Sequence, residues 1–531
     1  MSKTHRSMRP LILGALMAAA TVSVFAEADT SQALLNLLVR KGIITQDEAS
    51  QLKAEAAASA PAGTAPTSGG MGAPSSPAYG PGPGAAAGTT TPGAVTTGTE
   101  PGRSPLSFRI GAADFTPIGF MDFTTVYRST NTNGAIGTGF NSIPYSNTSA
   151  GQISETKFSA QNSRLGLRVD STVNDVKVLG YVETDFLGNA ATTLNVSSNA
   201  ATLRMRVYFA DLKFGPLELM AGQDWSMLTP NRKGIGVMPS DVFYTMDMDT
   251  NYQAGLTWAR QPQIRLLYHA SDEVTFGLSA ENPDNYTSGA VTYPTGFNTA
   301  EVDNNGNSPN APSPVPDFIG KAALDTKIGD MPFHMELSGL LSTYKVNTYV
   351  AATGVNQNST SEGGGFELAG NFTIVPDLTL VGTGFMSYGG GRYINGLGPD
   401  FIVTAPNASG AYGISPVKAN SAILGAEWQA LPQSMFFGYW SKTEFGKSVT
   451  TMANGTQFGY GYTGSANSNN GSIGEYTIGE TQTLWKNPQY GALQIVSQFS
   501  YVDRKPLYVA PGAPSEAHLG MVYVDLRYVL P

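Results

Sequence analysis

The last twelve residues, GMVYVDLRYVLP at 520–531, alternate apolar and polar side chains. One face of an extended chain carries Val522, Val524, Leu526, Tyr528 and Leu530, and the other carries Tyr523, Asp525 and Arg527. Successive side chains of a strand point to opposite sides of its sheet. One face therefore suits hydrocarbon and the other suits water, which is typical of a strand in a transmembrane β-barrel.

The same alternation recurs upstream, and the connectors between alternating segments are in turn very short and very long. SRLGLRVD at 163–170 and TLRMRVYF at 202–209 show it, with the apolar sets Leu165, Leu167 and Val169, and Leu203, Met205, Val207 and Phe209. A closed barrel satisfies every backbone group in lipid, and its hairpins have short turns on one side and long loops on the other. A soluble β-sandwich also alternates, but its apolar face is interior and its connectors lack this rhythm. The pattern predicts an outer-membrane barrel.

This rhythm predicts an all-β fold, a transmembrane antiparallel β-barrel of about sixteen strands. They lie near 117–128, 163–172, 176–187, 202–213, 217–224, 255–269, 272–281, 317–326, 333–343, 365–374, 378–388, 420–429, 434–444, 473–484, 490–503 and 517–530. An even count requires one strand at 255–269, which also places every long connector on the same side. The long, outward loops then begin near 129, 188, 225, 282, 344, 389, 445 and 504.

The composition fits a membrane barrel. Only 13% of the 531 residues are charged, about half the share in an average soluble domain. The mean hydropathy of -0.12 is close to zero because lumen and loop residues dilute the lipid-facing band. The chain has no cysteine, which excludes disulfides, thiol catalysis and a lipid-modified N-terminal cysteine.

Three segments are predicted ahead of a barrel domain at 106–531. Basic residues followed by an apolar run predict a signal peptide at 1–26. Its removal takes away three basic side chains, so the net charge changes from -9 to -12 (-9 - 3), which argues against a nucleic acid partner. Residues 27–58 predict a short periplasmic helical hairpin, and residues 59–105, rich in Ala, Pro and Gly, predict a disordered linker. The hairpin is too short to be stable alone, so it self-associates, packs on a partner such as the cell wall, or is a frayed tail.

Charged side chains on the water-facing side of the strands form two predicted groups. The basic group is Arg164, Arg168, Arg204, Arg206 and Arg265, and the acidic group, roughly across the barrel, is Asp325, Glu336, Glu367 and Glu427. Together they predict a transverse field across an aqueous lumen. Guanidinium groups there would draw anions and bind carboxylates or phosphates bidentately. The alternative is that the arginines are ion-paired wall lining, with Glu183 and Asp185 as cross-strand partners.

The third long loop, GQDWSMLTPNRKGIGVMPSDVFYTMDMDT at 222–250, carries Trp, Phe, Tyr and Met among charged residues. So much apolar surface is unusual for an external loop, so we expect this one to fold inward and constrict the lumen. Packing among external loops or at a subunit contact is the alternative. The candidate constriction residues are Asp224, Trp225, Arg232 and Lys233.

No motif for chemistry emerges from the sequence. The histidines, at positions 5, 269, 334 and 518, have no metal-ligand spacing. The stretch from Asp303 fails as a calcium loop because Pro314 stands where Glu is required. No nucleophile and base share a motif. We therefore expect no catalytic residue, no metal, no cofactor and no enzyme activity.

Several segments resemble the DcaP-type outer-membrane porins. They are QNSRLGLRV (161–169), GYVETDFLG (180–188), LRMRVYFADLKFGPLELMAGQDWS (203–226), RQPQIR (260–265), AENP (280–283) and LRYVLP (526–531). The resemblance implies a trimeric sixteen-stranded channel in the outer membrane of a Gram-negative cell, with an N-terminal periplasmic helical extension. It also implies passive uptake of small anions, particularly dicarboxylates.

The family's arginine-lined pathway would map onto Arg164, Arg168, Arg204, Arg206, Arg260 and Arg265. Strict alternation with Leu256 and Trp258 points Arg260 at lipid, and a bulge at Pro262 would turn it inward. The predicted function is therefore passive diffusion of small, anionic or polar solutes through a homotrimer embedded in the lipid bilayer. The alternative is a structural protein that tethers the envelope through its N-terminal helices.

Overall fold

The computed structural model describes residues 104–188, 201–243, 245–248, 251–287, 290–302, 313–351 and 353–531. The predicted signal peptide and helical hairpin, and the predicted linker up to residue 103, lie outside them. No helix among the described residues is long and apolar enough to cross a membrane.

Within the described residues, sixteen strands form one closed antiparallel barrel, which confirms the predicted fold class and strand number. The strands are β1 Ala113–Arg128, β2 Glu155–Ser159 with Arg164–Val173, β3 Val176–Gly188, β4 Thr202–Phe214, β5 Leu217–Trp225, β6 Arg260–His269, β7 Val274–Glu281, β8 Asp317–Ile328, β9 Met331–Val350, β10 Val355–Val375, β11 Leu378–Tyr388, β12 Lys418–Leu431, β13 Ser434–Phe445, β14 Asn470–Asn487, β15 Gly491–Pro506 and β16 Ala517–Val529. Neighbours along the chain pair with each other, and β16 pairs back with β1. Both pieces of β2 pair with β1, so the interruption at 160–163 leaves one barrel strand.

The remaining elements are short. Outside the barrel wall lie the strands Phe108–Ile110, Phe401–Thr404, Gly413–Pro416, Ser448–Thr451 and Gln457–Tyr460. Single turns of 3-10 helix lie at Phe140–Ser142, Ala150–Gln152, Pro239–Asp241, Thr299–Glu301 and Gly391–Tyr393.

The two faces of the wall follow the predicted alternation. On β16, Val522, Val524 and Leu526 are each more than 40% exposed, whereas Tyr523 and Asp525 are fully buried. Trp440, Tyr476 and Tyr501 form one row of cross-strand partners on the outside of β13, β14 and β15. Such an aromatic row marks the level at which the hydrocarbon layer ends.

The predicted direction of the β4 side chains, toward lipid or toward the lumen, is wrong beyond the middle of that strand. Glu183 pairs with Val207 and Thr184 pairs with Met205, so Arg206 is an extra residue in the strand. This bulge reverses the alternation that follows it. Val207 and Phe209, predicted to face lipid, are buried, and the Phe209 ring stacks on Tyr181 at 5.5 Å between centroids.

The predicted bounds of two other regions also need correction. β6 begins at Arg260 rather than at 255, because residues 255–258 bond to another loop inside the barrel. The long loop predicted near 344 is instead an extension of β9 and β10, which pair as far as Val350 and Val355. Tyr344 and Val346 continue the alternation and are buried against Phe401 and Val403, which gives the extension a small apolar core.

Candidate solute pathway

The segment between β5 and β6, residues 226–259, lies inside the barrel in its described parts, 226–243, 245–248 and 251–259. Its two ends meet, since the Ser226 N–H donates to the Ala259 carbonyl at 2.8 Å. Met227, Leu228 and Phe243 are buried in one apolar cluster with side chains of the barrel wall. We call this segment the inward loop. Leu256 and Trp258, which alternation placed on the lipid side, belong to it and are buried in the same cluster.

Carboxylates of the wall hold the inward loop in place. Hydrogen bonds reach Glu281 from Met227 N (2.8 Å), Glu336 from Asn231 N (3.1 Å), Asp325 from Gly234 N (2.8 Å), Glu475 from Ala254 N (2.7 Å), Glu367 from Thr257 Oγ1 (2.7 Å) and Glu427 from both Arg232 Nη atoms (2.8 and 2.9 Å). Backbone N–H groups inside a protein need acceptors, and these side chains supply them. The acidic group predicted from the sequence therefore lies on the lumen side, where the inward loop covers it.

The inward loop carries cations at the covered wall. The side chain of Arg232 is 26% exposed while it binds Glu427, and its guanidinium also lies 5.1 Å from the centre of the Phe243 ring. Lys233 is exposed. The surface that this part of the loop offers to solvent is thus basic rather than acidic.

Four of the predicted arginines come together on the neighbouring part of the wall formed by β2, β4 and β6. Arg164, Arg204, Arg206 and Arg260 surround Glu183 and Asp185, and we call this group the arginine cluster. Arg206 lies 2.6 Å from Glu183 and 2.8 Å from Asp185, Arg204 lies 2.6 Å from Asp185, and Arg164 lies 3.7 Å from Glu183. Counted over these six described side chains, four cations and two anions leave an excess of two positive charges (4 - 2).

Arg260 reaches the arginine cluster without the predicted bulge. β5 and β6 pair continuously from Trp225 opposite Arg260 to Gln223 opposite Pro262. Arg260 is the first residue of β6, and its guanidinium lies 4.9 Å from the centre of the Trp225 ring. Its Nη1 is buried and has no hydrogen-bond partner among the described residues. The Trp225 ring is backed by Trp258 at 3.8 Å, which makes the platform under Arg260 rigid.

The other two predicted arginines lie elsewhere. Arg168 pairs with Asp170 at 2.7 Å near the short-turn end of β2, where both are about two-fifths exposed. Arg265 donates to the carbonyl oxygens of Trp225 at 2.6 Å and Gly236 at 3.2 Å, and lies 3.5 Å from Asp224. Arg265 and Asp224 therefore support the root of the inward loop.

A second segment that sequence reasoning missed also enters the barrel. The N–H groups of Gly255 and Trp258 donate to the carbonyls of Asn395 and Tyr393, at 2.6 Å each. The sequence feature that could have indicated this segment is the triple glycine at 389–391, which the alternation pattern identifies only as part of a loop. A Cβ on Gly391 would lie 2.5 Å from the Gly398 carbonyl oxygen, so the close packing requires glycine.

One loop carboxyl group is buried deeply enough to change its protonation. Burial, reinforced by the nearby carboxylate of Glu475, raises the pKa of Asp247 well above its usual range. The charged form of Asp247 is therefore disfavoured relative to that of an exposed aspartate.

Comparison with known proteins supports the fold. No protein-family model and no curated protein matches this chain. The crystal structure of the outer membrane channel DcaP of Acinetobacter baumannii is similar, with a TM-score of 0.57 and 16% identity over 80% of this chain and 99% of that one. An anion-selective porin from Comamonas acidovorans is less similar, with a TM-score of 0.43 and 13% identity over 78% of this chain and 99% of that one.

At this identity the first likeness establishes the fold, and the second adds nothing to it. The expected resemblance to the DcaP-type barrel is confirmed at that level. With its closed wall and apolar exterior, the chain is an outer-membrane β-barrel of porin-like channel architecture.

Proposed function

We propose that the chain is a passive diffusion channel for small anionic solutes of the dicarboxylate class. The observation that carries the proposal is the arginine cluster, with its excess of two positive charges on the lumen side of β2, β4 and β6. Guanidinium groups bind carboxylates in a planar, two-point geometry. A solute with two carboxylates could engage the arginine cluster at one end and the basic tip of the inward loop at the other.

The constriction in this proposal is formed by the inward loop. Trp225 and Arg260 lie on the side of the arginine cluster, whereas Arg232 and Lys233 lie at the wall that the loop covers. Asp224 pairs with Arg265 at the root of the loop. Solute binding must stay weak, because a site that holds its solute tightly slows release. Pairing of Arg204 and Arg206 with Asp185 moderates the field in this way.

Planar-bilayer recordings with liposome swelling test the proposal. In a potassium chloride gradient, we expect a reversal potential that indicates chloride preference. Swelling should be faster with dicarboxylates than with neutral solutes of matched size. Cation preference, or swelling rates that depend on size alone, would contradict it.

We propose also that the barrel forms a homotrimer through the side that contains β4, β6 and β7. On β13, β15 and β16, charged side chains follow the aromatic row at the level of Lys442, Asp503 and His518. The outward positions on the other side stay apolar, with Leu203, Met205, Ile264 and Leu278 all more than half exposed. Among the described residues, this apolar outer surface suits a second copy of the chain better than lipid headgroups.

Because the chain has no cysteine, single cysteines can map this contact. Bifunctional maleimides of graded length should cross-link Leu203→Cys between copies in the membrane. Ile478→Cys, exposed on β14, is the matched control and should not cross-link. Cross-linking of Ile478→Cys but not Leu203→Cys would place the contact on the opposite side, and no cross-linking of either would indicate a monomer.

A further inference from the structure

One row of side chains on three neighbouring strands holds the tip of the inward loop. Asp325 on β8 is the cross-strand partner of His334 on β9, which is the partner of Asn371 on β10. Asp325 accepts the Gly234 N–H at 2.8 Å, and Asn371 Nδ2 donates to the Arg232 carbonyl at 3.0 Å. His334, 3% exposed, lies between these two contacts.

Both ring nitrogens of His334 face carboxylates. Nδ1 lies 2.9 Å from Asp325 Oδ1, and Nε2 lies 3.4 Å from Glu336 Oε2. A neutral imidazole has one N–H and one lone pair, so only the doubly protonated ring can donate to both carboxylates. The proton on His334 therefore orients the two carboxylates that bind the loop tip.

Glu336 links this row to a lysine. Its Oε1 accepts from the Asn231 N–H at 3.1 Å and from Lys321 Nζ at 2.8 Å. Lys321 also donates to the Thr229 carbonyl at 2.9 Å. The loop tip from residue 229 to 234 is thus held through one connected network.

Protonation of the imidazole offsets part of the negative charge around the loop tip. The titratable and charged groups facing the network are Asp325 and Lys321 from β8, Glu336 from β9, Glu367 from β10, Glu427 from β12, and Arg232 and Lys233 from the loop. The proton on His334 adds one positive charge to this group, and its loss makes the group more negative by one charge.

We propose that doubly protonated His334 is a positioning residue that fixes the tip of the inward loop and makes this side of the lumen less negative by one charge. The inference rests on the proposed anion channel. Anion preference is then greatest while His334 is charged and falls as the pH rises through its titration. Loss of the proton also removes a donor from Asp325 or Glu336, so the tip that carries Arg232 and Lys233 loosens.

The test is the chloride-to-potassium permeability ratio of the full-length protein in planar bilayers, recorded with open-channel noise between about pH 6 and pH 10. Wild type should show one transition, with the ratio falling about twofold as a single charge within a Debye length is lost. His334→Gln should have the lower ratio and higher noise at every pH. His518→Gln, on the outer surface, and His269→Gln, beside Lys213 and Glu218, should keep the wild-type transition.

The outcomes separate this inference from the proposed function. A transition that survives in His334→Gln, or disappears in His269→Gln instead, overturns the role of His334 while leaving an anion channel. Cation preference at every pH in wild type overturns the proposed function itself. Heat-dependent migration in gels identifies variants that fail to form a barrel. If His334→Gln fails to form one, His334→Arg takes its place, because it keeps a cation at all pH values. This variant should show a high chloride-to-potassium permeability ratio without a transition.

Discussion

Replacing residues 228–257 by a short Gly-Ser linker is expected to raise the single-channel conductance roughly two- to fivefold and to turn anion preference into cation preference. The replacement is feasible because the Ser226 N–H and the Ala259 carbonyl already meet at the root of the inward loop. A barrel of sixteen strands encloses more space than wall side chains fill. Removing the loop opens that space.

The change of sign follows from the carboxylates that the loop covers. Asp325, Glu336, Glu367, Glu427 and Glu475 all lose donors that the loop supplies. Five uncovered anions then oppose Lys321, the protonated His334 and the excess of two positive charges in the arginine cluster, so the sum is negative (4 - 5 = -1). Water replaces the lost donors, so the wall remains solvated while its field becomes negative.

Single-channel recordings of conductance and reversal potential measure both effects. A matched variant adds Glu367→Gln and Glu427→Gln to the shortened chain, and it should keep the high conductance while losing much of the cation preference. A shortened chain that forms a barrel but conducts like wild type would show that the loop does not constrict the lumen. Retained anion preference with raised conductance would show that the covered carboxylates do not set its sign.

The barrel was largely predictable because alternation is a local property of the chain. The period of two on 520–531 and the short turns at Asn174 and Asp377, both with positive φ, do not depend on distant residues. The inward position of Val207 was not predictable, since it depends on how β4 pairs with β3. The partner of Glu427 was hidden as well, because Arg232 is 195 positions away and no local pattern joins them.

The candidate site was predictable to a similar degree. The water-facing positions of Arg164, Arg204 and Arg206 follow from alternation, whereas the support that Arg265 gives to the Trp225 and Gly236 carbonyls depends on the path of the inward loop. Arg260 lies at the end of its strand, where local alternation no longer determines the direction of a side chain. The alternation predicts that Arg260 faces lipid. Only the resemblance to the DcaP-type porins predicts that it lies in the solute pathway.

Replacing Arg260 by glutamine is expected to lower the chloride-to-potassium permeability ratio about threefold while leaving the barrel as stable as wild type. The variant removes one of the two excess positive charges, in a site where water is partly excluded and charges interact strongly. Stability should not fall, because Arg260 Nη1 has no hydrogen-bond partner among the described residues. A buried cation without such support costs free energy rather than adding it.

Arg206→Gln is the contrasting variant. Arg206 is fully buried and binds both Glu183 and Asp185, so its removal leaves two buried carboxylates with less compensation. Breaking such a buried pair lowers the free energy of unfolding by about 3–5 kcal/mol. The temperature at which the barrel unfolds, read from its migration in gels, should therefore fall. Arg109→Gln, exposed beside Asp114, is the control for a change of one charge and should alter neither quantity.

Reversal potentials and heat-dependent gel migration of the three variants measure selectivity and barrel stability separately. An unchanged permeability ratio in Arg260→Gln, with the barrel intact, would place the solute pathway away from the Trp225 platform. A destabilised Arg260→Gln would mean that this arginine supports the wall, as ion-paired lining does. The expected pattern, lower selectivity without lower stability in Arg260→Gln and lower stability in Arg206→Gln, would separate the arginine that acts on solutes from the arginine that holds the cluster together.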